Sequence, residues 1–131
     1  MPRFLNKILI VVFFLAVCLP GFVFADSYGQ KITFYVDEEY DLESRKTITA
    51  TLKNISTKAY FYIEDDWWET LTNDERQEVL TSISDLAKEF DSKIYPTLIS
   101  VYGTEWTPGI DNDRRITVLF HQMKEKIGGY N

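Results

Sequence analysis

Residues 59–94 read AYFYIEDDWWETLTNDERQEVLTSISDLAKEFDSKI, and this stretch decides the fold. Ala59 to Ile63 is dense in aromatic and β-branched residues, which predicts a strand. Thr72-Asn73-Asp74-Glu75 fits a capping box: the Thr72 hydroxyl accepts from the Glu75 N–H, and the Glu75 carboxylate reaches back to the Thr72 N–H. Carboxylates at Asp74, Glu75 and Glu78 complement the positive end of a helix dipole. Val79, Ile83, Leu86, Ala87, Phe90 and Ile94 then recur at steps of three and four, giving one apolar stripe on a helix over 74–94. Burying each large side chain of that stripe is worth about 1.5–3 kcal/mol, so it predicts core.

Downstream, Pro96 closes this helix or opens a short second one, with Leu98, Ile99 and Tyr102 inward and Gly103 as its C-terminal cap. Pro108-Gly109 and Asp111-Asn112-Asp113 supply turn chemistry. Ile116 to Phe120 is an apolar run of the kind buried on both faces, a fourth strand. Strand 59–63, helix 74–94 and strand 116–120 make a βαβ unit with a right-handed crossover. Its strands should be parallel, with room for one other between them.

Upstream, 26–30 is a polar leader, and 31–36 alternates with Ile32, Phe34 and Val36 on one face. Residues 37–46 are charged and read as an exposed loop. Residues 47–53 alternate again, Ile48, Ala50 and Leu52 inward and three threonines outward, and a turn at 54–57 joins them to 59–63 as a hairpin. The fold class is α+β, a small mixed sheet backed by one long helix. The division is 1–25 signal peptide, 26–46 polar leader, first strand and charged loop, and 47–131 a partial α/β domain.

The 131 residues are 45% apolar and 26% charged, which suits one globular domain and excludes a disordered chain. The chain has one histidine, His121, and one cysteine, Cys18. A catalytic zinc normally takes three ligands, at least two of them usually His or Cys. Cys–His nucleophilic sites and Cys₂His₂ or Cys₄ zinc sites are excluded on the same count. No metal, cofactor or catalytic residue is therefore assigned within the chain.

Residues 1–25 read as a secretory signal. Arg3 and Lys7 form the basic region, Ile8 to Leu19 the apolar run, and Val23-Phe24-Ala25 the cleavage site before Asp26. An uncleaved signal anchor, giving a surface protein, is the alternative, although the run is shorter than the roughly 20 residues of a membrane span. Cys18 lacks the small preceding residue of a lipidated cysteine and belongs to the signal. Loss of Arg3 and Lys7 would leave 12 basic against 20 acidic side chains, a net charge of −8 on 106 residues. That acidity argues against nucleic acid and anionic membranes as partners. The absence of cysteine from the mature chain suits a bacterial secreted protein.

The candidate sites compete with plainer readings. Glu64, Asp65 and Asp66 follow the third strand and would suit calcium, or simply a solvated strand end. Asp111 and Asp113 resemble the opening of a calcium loop, but Ile116 stands where its glycine belongs, so a turn explains them better. Trp67, Trp68 and Trp106 would either stack on sugars or complete a core or interface. His121 reads as a polar strand end. Asn54-Ile55-Ser56 is a glycosylation sequon in form and a turn after a strand in its plainer reading.

Several segments carry a likeness. Glu89-Phe90-Asp91-Ser92-Lys93-Ile94-Tyr95-Pro96-Thr97 resembles part of the secreted zinc metalloproteases related to hyicolysin and, more loosely, immune inhibitor A. The likeness resumes over 108–119 and at Gly128-Gly129-Tyr130, and upstream at 50–52 and 60–65, so it covers roughly 45–131. It implies the upper part of a zincin domain, a strand, backing helix and strand ahead of an active-site helix bearing H-E-x-x-H. In that motif two histidines bind zinc and the glutamate activates water. The chain ends before that motif would stand, so no catalytic residue is carried over, and zinc is implied only for the full-length family.

The expectation is a non-catalytic amino-terminal part of a secreted hyicolysin-like zinc metallopeptidase, inactive alone. Its partner would be a missing downstream segment, and protein substrates would belong to the full-length enzyme. The alternative is a free-standing secreted binding module for a glycan or protein. The strand at 116–120 would be an unprotected edge, which predicts marginal stability or association through it.

Overall fold

The computed structural model describes residues 25–105, 109 and 112–125. The expected signal segment up to Phe24, and Trp106, Asp111 and Gly128-Gly129-Tyr130, lie outside the described residues. The described chain is mixed α+β. Strands β1 (Lys31–Tyr35), β2 (Thr47–Ile55), β3 (Ala59–Glu64) and β4 (Ile116–Phe120) form one sheet in that order. The β1–β2 and β2–β3 pairs are antiparallel and β3–β4 is parallel, with Ala59 opposite Ile116 and Ile63 opposite Phe120. The two strands of the βαβ unit are direct neighbours, and no strand intervenes.

All six residues of β3 are buried, which makes β3 the strand covered on both faces. β4 was expected in that role, but among the described residues it is an edge and mostly half-buried. A short apolar run reads alike in either place. The sheet has two apolar faces. Ala59, Phe61 and Ile63 meet the helical layer at Ile83, Ala87 and Phe90, with Val118 and Phe120 alongside. Ala50, Leu52, Tyr60 and Tyr62 form a second cluster with Ile32, Phe34 and Leu119 on the other side.

Between β3 and β4 lie α1 (Asp65–Thr70), α2 (Asn73–Glu89), a π-helical turn (Phe90–Ile94) and α3 (Tyr95–Tyr102). The capping box at Thr72 and Glu75 forms in both directions. Ile83, Ala87 and Phe90 of the expected stripe are buried, whereas Leu86 is exposed. The π-helical turn has a cause in the sequence. Pro96 is the second residue of α3, and in a continuous α-helix its ring would press on the Ser92 carbonyl. Widening the preceding turn relieves this, and the Tyr95 N–H donates to Phe90 O, five residues back.

Gly103 ends α3 as expected, with its N–H on Ile99 O and a backbone at φ +83°, ψ 179° that is essentially glycine-only. Leu98 and Tyr102 are exposed rather than inward.

Two other segments differ from the reading of the sequence. The leader is tied down: Tyr62 donates its hydroxyl to Asp26 Oδ2 (2.7 Å), and Gly29 and Gln30 bond to Leu52. Thr51, expected outward, is buried beneath α1 and donates to Asp65 Oδ1 (2.5 Å).

Candidate functional site

The carboxyl ends of β3 and β4 point the same way, which is where open α/β sheets place their sites. Residues 37–46, expected as an exposed loop, cross this end of the sheet. Leu42 N–H donates to Gln122 O and Lys124 N–H to Tyr40 O, so Asp41 bridges Met123 in an antiparallel pair just past β4. The crossing buries Asp41 completely, and Glu64, the last residue of β3, is 1% exposed.

Arg45 holds the two carboxylates together. Its Nη2 is 2.8 Å from Asp41 Oδ1 and 2.5 Å from Glu64 Oε1, its Nε donates to Asp41 Oδ2 (3.0 Å), and its Nη1 reaches Asp66 (3.1 Å). The Glu64 contact is an ion pair without hydrogen-bond alignment, and Glu64 Oε2 accepts from the Gln122 N–H (2.9 Å). Asp41 also accepts from the backbone N–H groups of Glu43 and Arg45.

The Arg45 side chain, opposed by burial but helped by those backbone donors, holds the Asp41 carboxyl far below its ordinary range. Asp41, with Glu64 behind it, keeps the guanidinium well above its own ordinary value although burial pulls the other way. His121 adjoins this network, its Nδ1 3.5 Å from Asp41 Oδ1 and its side chain 6% exposed. The arrangement clamps loop 37–46 across the strand ends and orients one imidazole.

It is a poor cation site. Each acidic side chain already faces a guanidinium that would repel a metal, and among the described residues no group of His, Cys, Asp and Glu is placed to hold one. The zinc implied by the metalloprotease likeness does not fit these residues.

The other acidic candidates also have partners. Asp65 takes Thr51 and Lys31 (2.9 Å), whose ammonium it raises above the ordinary lysine value. Asp65 and Asp66 sit in the first turn of α1, directly after β3, with Asp65 partly buried and Asp66 solvated. Asp113 accepts from the Tyr60 hydroxyl (2.6 Å) and the Arg115 N–H (2.9 Å). Burial works against its ionisation, yet these donors hold it below its ordinary value. Burial and Asp113 in turn push the Tyr60 phenol up. Asp113 thus anchors the entry to β4.

Trp67 and Trp68 lie on α1, half-buried. Lys53 Nζ and Arg76 Cζ stand 4.5 and 5.5 Å from the Trp68 ring centroid, and Trp67 packs on the core while lining two open grooves. Lys53 falls on the same side of β2 as Thr51, the side that α1 covers, next to a register shift between Leu52 and Asn54. Asn54 of the sequon belongs to β2 itself, ahead of the turn. That turn is pinned by Asp91, which accepts from the Ser56 hydroxyl and the N–H groups of Thr57 and Lys58.

Asp41 and Arg45 escaped the sequence reading. The signal available was an acid and an arginine four residues apart beside a second acid, a spacing that also suits an exposed loop.

Comparison of the chain with protein families, curated proteins and solved structures finds no match. Among the described residues no helix is long and apolar enough to cross a membrane.

Proposed function

We propose that the chain supplies the strand–helix–strand portion of a secreted zinc metallopeptidase of the hyicolysin-like class and has no peptidase centre of its own. One observation supports this best. The segments that resemble that class are scattered in sequence, yet they gather in space. Residues 50–52 and 60–65 fall on paired β2 and β3, 89–97 span the π-helical turn and the start of α3, and the end of 108–119 is β4, parallel to β3. Proteolysis in that class needs two histidines one helical turn apart, whereas His121 is the only histidine here and is turned toward Asp41. Secretion through residues 1–25 and protein substrates for the whole enzyme belong to the same proposal.

The purified chain, assayed on casein with added zinc, is expected to show no cleavage sensitive to a chelator. Chelator-sensitive cleavage that copurifies with the chain would contradict this. A second reading, a secreted binding module, gains from Trp67, which lines two open grooves. Its sugar-stacking version loses Trp68, whose indole is already engaged by Lys53 and Arg76.

A further inference from the structure

Among the described residues the outer edge of β4 is unpaired and borders two grooves, and the sheet geometry says which backbone groups face outward. Ile116 N–H donates to Lys58 O, and the pairing runs in register from Ile116 to Phe120. In a parallel ladder alternate residues bond to the neighbour, so 116, 118 and 120 turn their N–H and C=O toward β3. Thr117 and Leu119 turn theirs away from it. Past the strand, the backbones of Gln122 and Lys124 bond to Leu42 and Tyr40, on the β3 side again. Loop 37–46 therefore extends the sheet beyond β3 and leaves the outer edge of β4 open, and no described strand covers it.

One groove, of about 830 Å³, is lined by Leu119, Met123, Tyr35, Val36 and Leu42 and reaches round to Phe120, with no carboxylate, lysine or arginine in its wall. On the helical face lies a second, of about 370 Å³, between Phe120, Leu71 and Val79, with Glu75 and Glu78 in its wall and again no lysine or arginine. Trp67 lines both. Glu75 is committed to the helix cap, whereas Glu78 is exposed on the next turn.

We propose that this edge docks an extended peptide as a fifth strand, one in which apolar residues alternate with Lys or Arg. Successive side chains of a strand point to opposite faces. The apolar set enters the larger groove, and the basic set lays its stems on Leu71 and Val79 with the cations at Glu78. Backbone bonds to Thr117 and Leu119 supply affinity, and the two unlike grooves supply register. A second copy of this chain fits worse. Each chain has a net charge of −6, and two-fold pairing of β4 with β4 about an axis normal to the sheet would bring the two Glu78 rims to one face. The proposal needs only the edge and its grooves, and it stands or falls apart from the metallopeptidase reading.

The test is fluorescence anisotropy of a labelled peptide of alternating valine and lysine, titrated with the purified full chain. A peptide of alternating valine and glutamate and a scrambled valine–lysine peptide serve as controls. Only the alternating valine–lysine peptide is expected to bind. Thr117→Pro removes an outward N–H without touching the ladder to β3 and should weaken binding about tenfold. Glu78→Lys, on the exposed helix surface, should weaken it about as much, and more at low salt than at high. Equal binding of the glutamate or scrambled peptide would overturn the proposal, as would affinity unchanged in both variants. So would a dimer of the chain, broken by Thr117→Pro, that binds no peptide.

Discussion

Arg45 is the side chain on which the closed end of the sheet depends. It touches Asp41, Glu64, Asp66 and Glu43, and two of those carboxylates are essentially out of water. Replacing it leaves Asp41 and Glu64 buried with no cation between them. Arg45→Met is therefore expected to cost about 3–5 kcal/mol in chemical denaturation, the range for breaking a buried pair from one side. A loss below 1 kcal/mol would show the network to be an exposed one. Acid tests the same contact. The Asp41 carboxyl is depressed in the folded chain and ordinary, near ~3.9, in the unfolded one. Below about pH 4 the unfolded state thus takes up the proton first, and the stability that Asp41 confers, fully present above that pH, drains away as pH falls. In Asp41→Asn that part of the acid sensitivity should disappear, and a stability–pH curve parallel to that of the parent would contradict it. None of this could be read from residues 37–46 alone. Their acidity says that they are charged, and only the crossing to Met123 makes Asp41 a buried residue.

The helical layer shows which local signals survive folding and which do not. The start of α2 was legible because a capping box is a purely local device, closed by atoms three residues apart. Thr72→Ala should remove the hydroxyl half of it, leaving the backbone N–H on Glu75, and cost about 1 kcal/mol. The end of α3 was legible in the same way. Gly103 has no heavy atom within 4 Å of the place a Cβ would occupy, so Gly103→Ala meets no clash. It should still cost about 1–3 kcal/mol, because φ +83° with ψ 179° is hostile to any side chain. A neutral Gly103→Ala in the same unfolding measurement would mean that the cap is made differently. The π-helical turn was not legible. Phe90 and Ile94 keep a helical spacing across it, and Pro96 announces a disturbance without saying whether the helix stops or widens. The inward reading of Leu98 and Tyr102 failed because spacing along α3 says nothing about whether a neighbour exists to cover them.

At the scale of the molecule, the α+β class, the hairpin and the parallel pairing of β3 and β4 were all legible, the last because a strand–helix–strand connection leaves little choice of direction. Which strand lies at the edge was not, since β3 and β4 are both short apolar runs and only the sheet order separates them. The second apolar face has a similar origin: alternation in β2 shows that Ile48, Ala50 and Leu52 share a side, not which side carries the helices. The metallopeptidase reading belongs to this scale, because it concerns the architecture of which β3, the helical layer and β4 are one part. It is tested most directly by reading the genomic DNA that follows the codon for Asn131. A coding run for H-E-x-x-H, in any frame, is the expected result. An unrelated gene after a clean stop would contradict it.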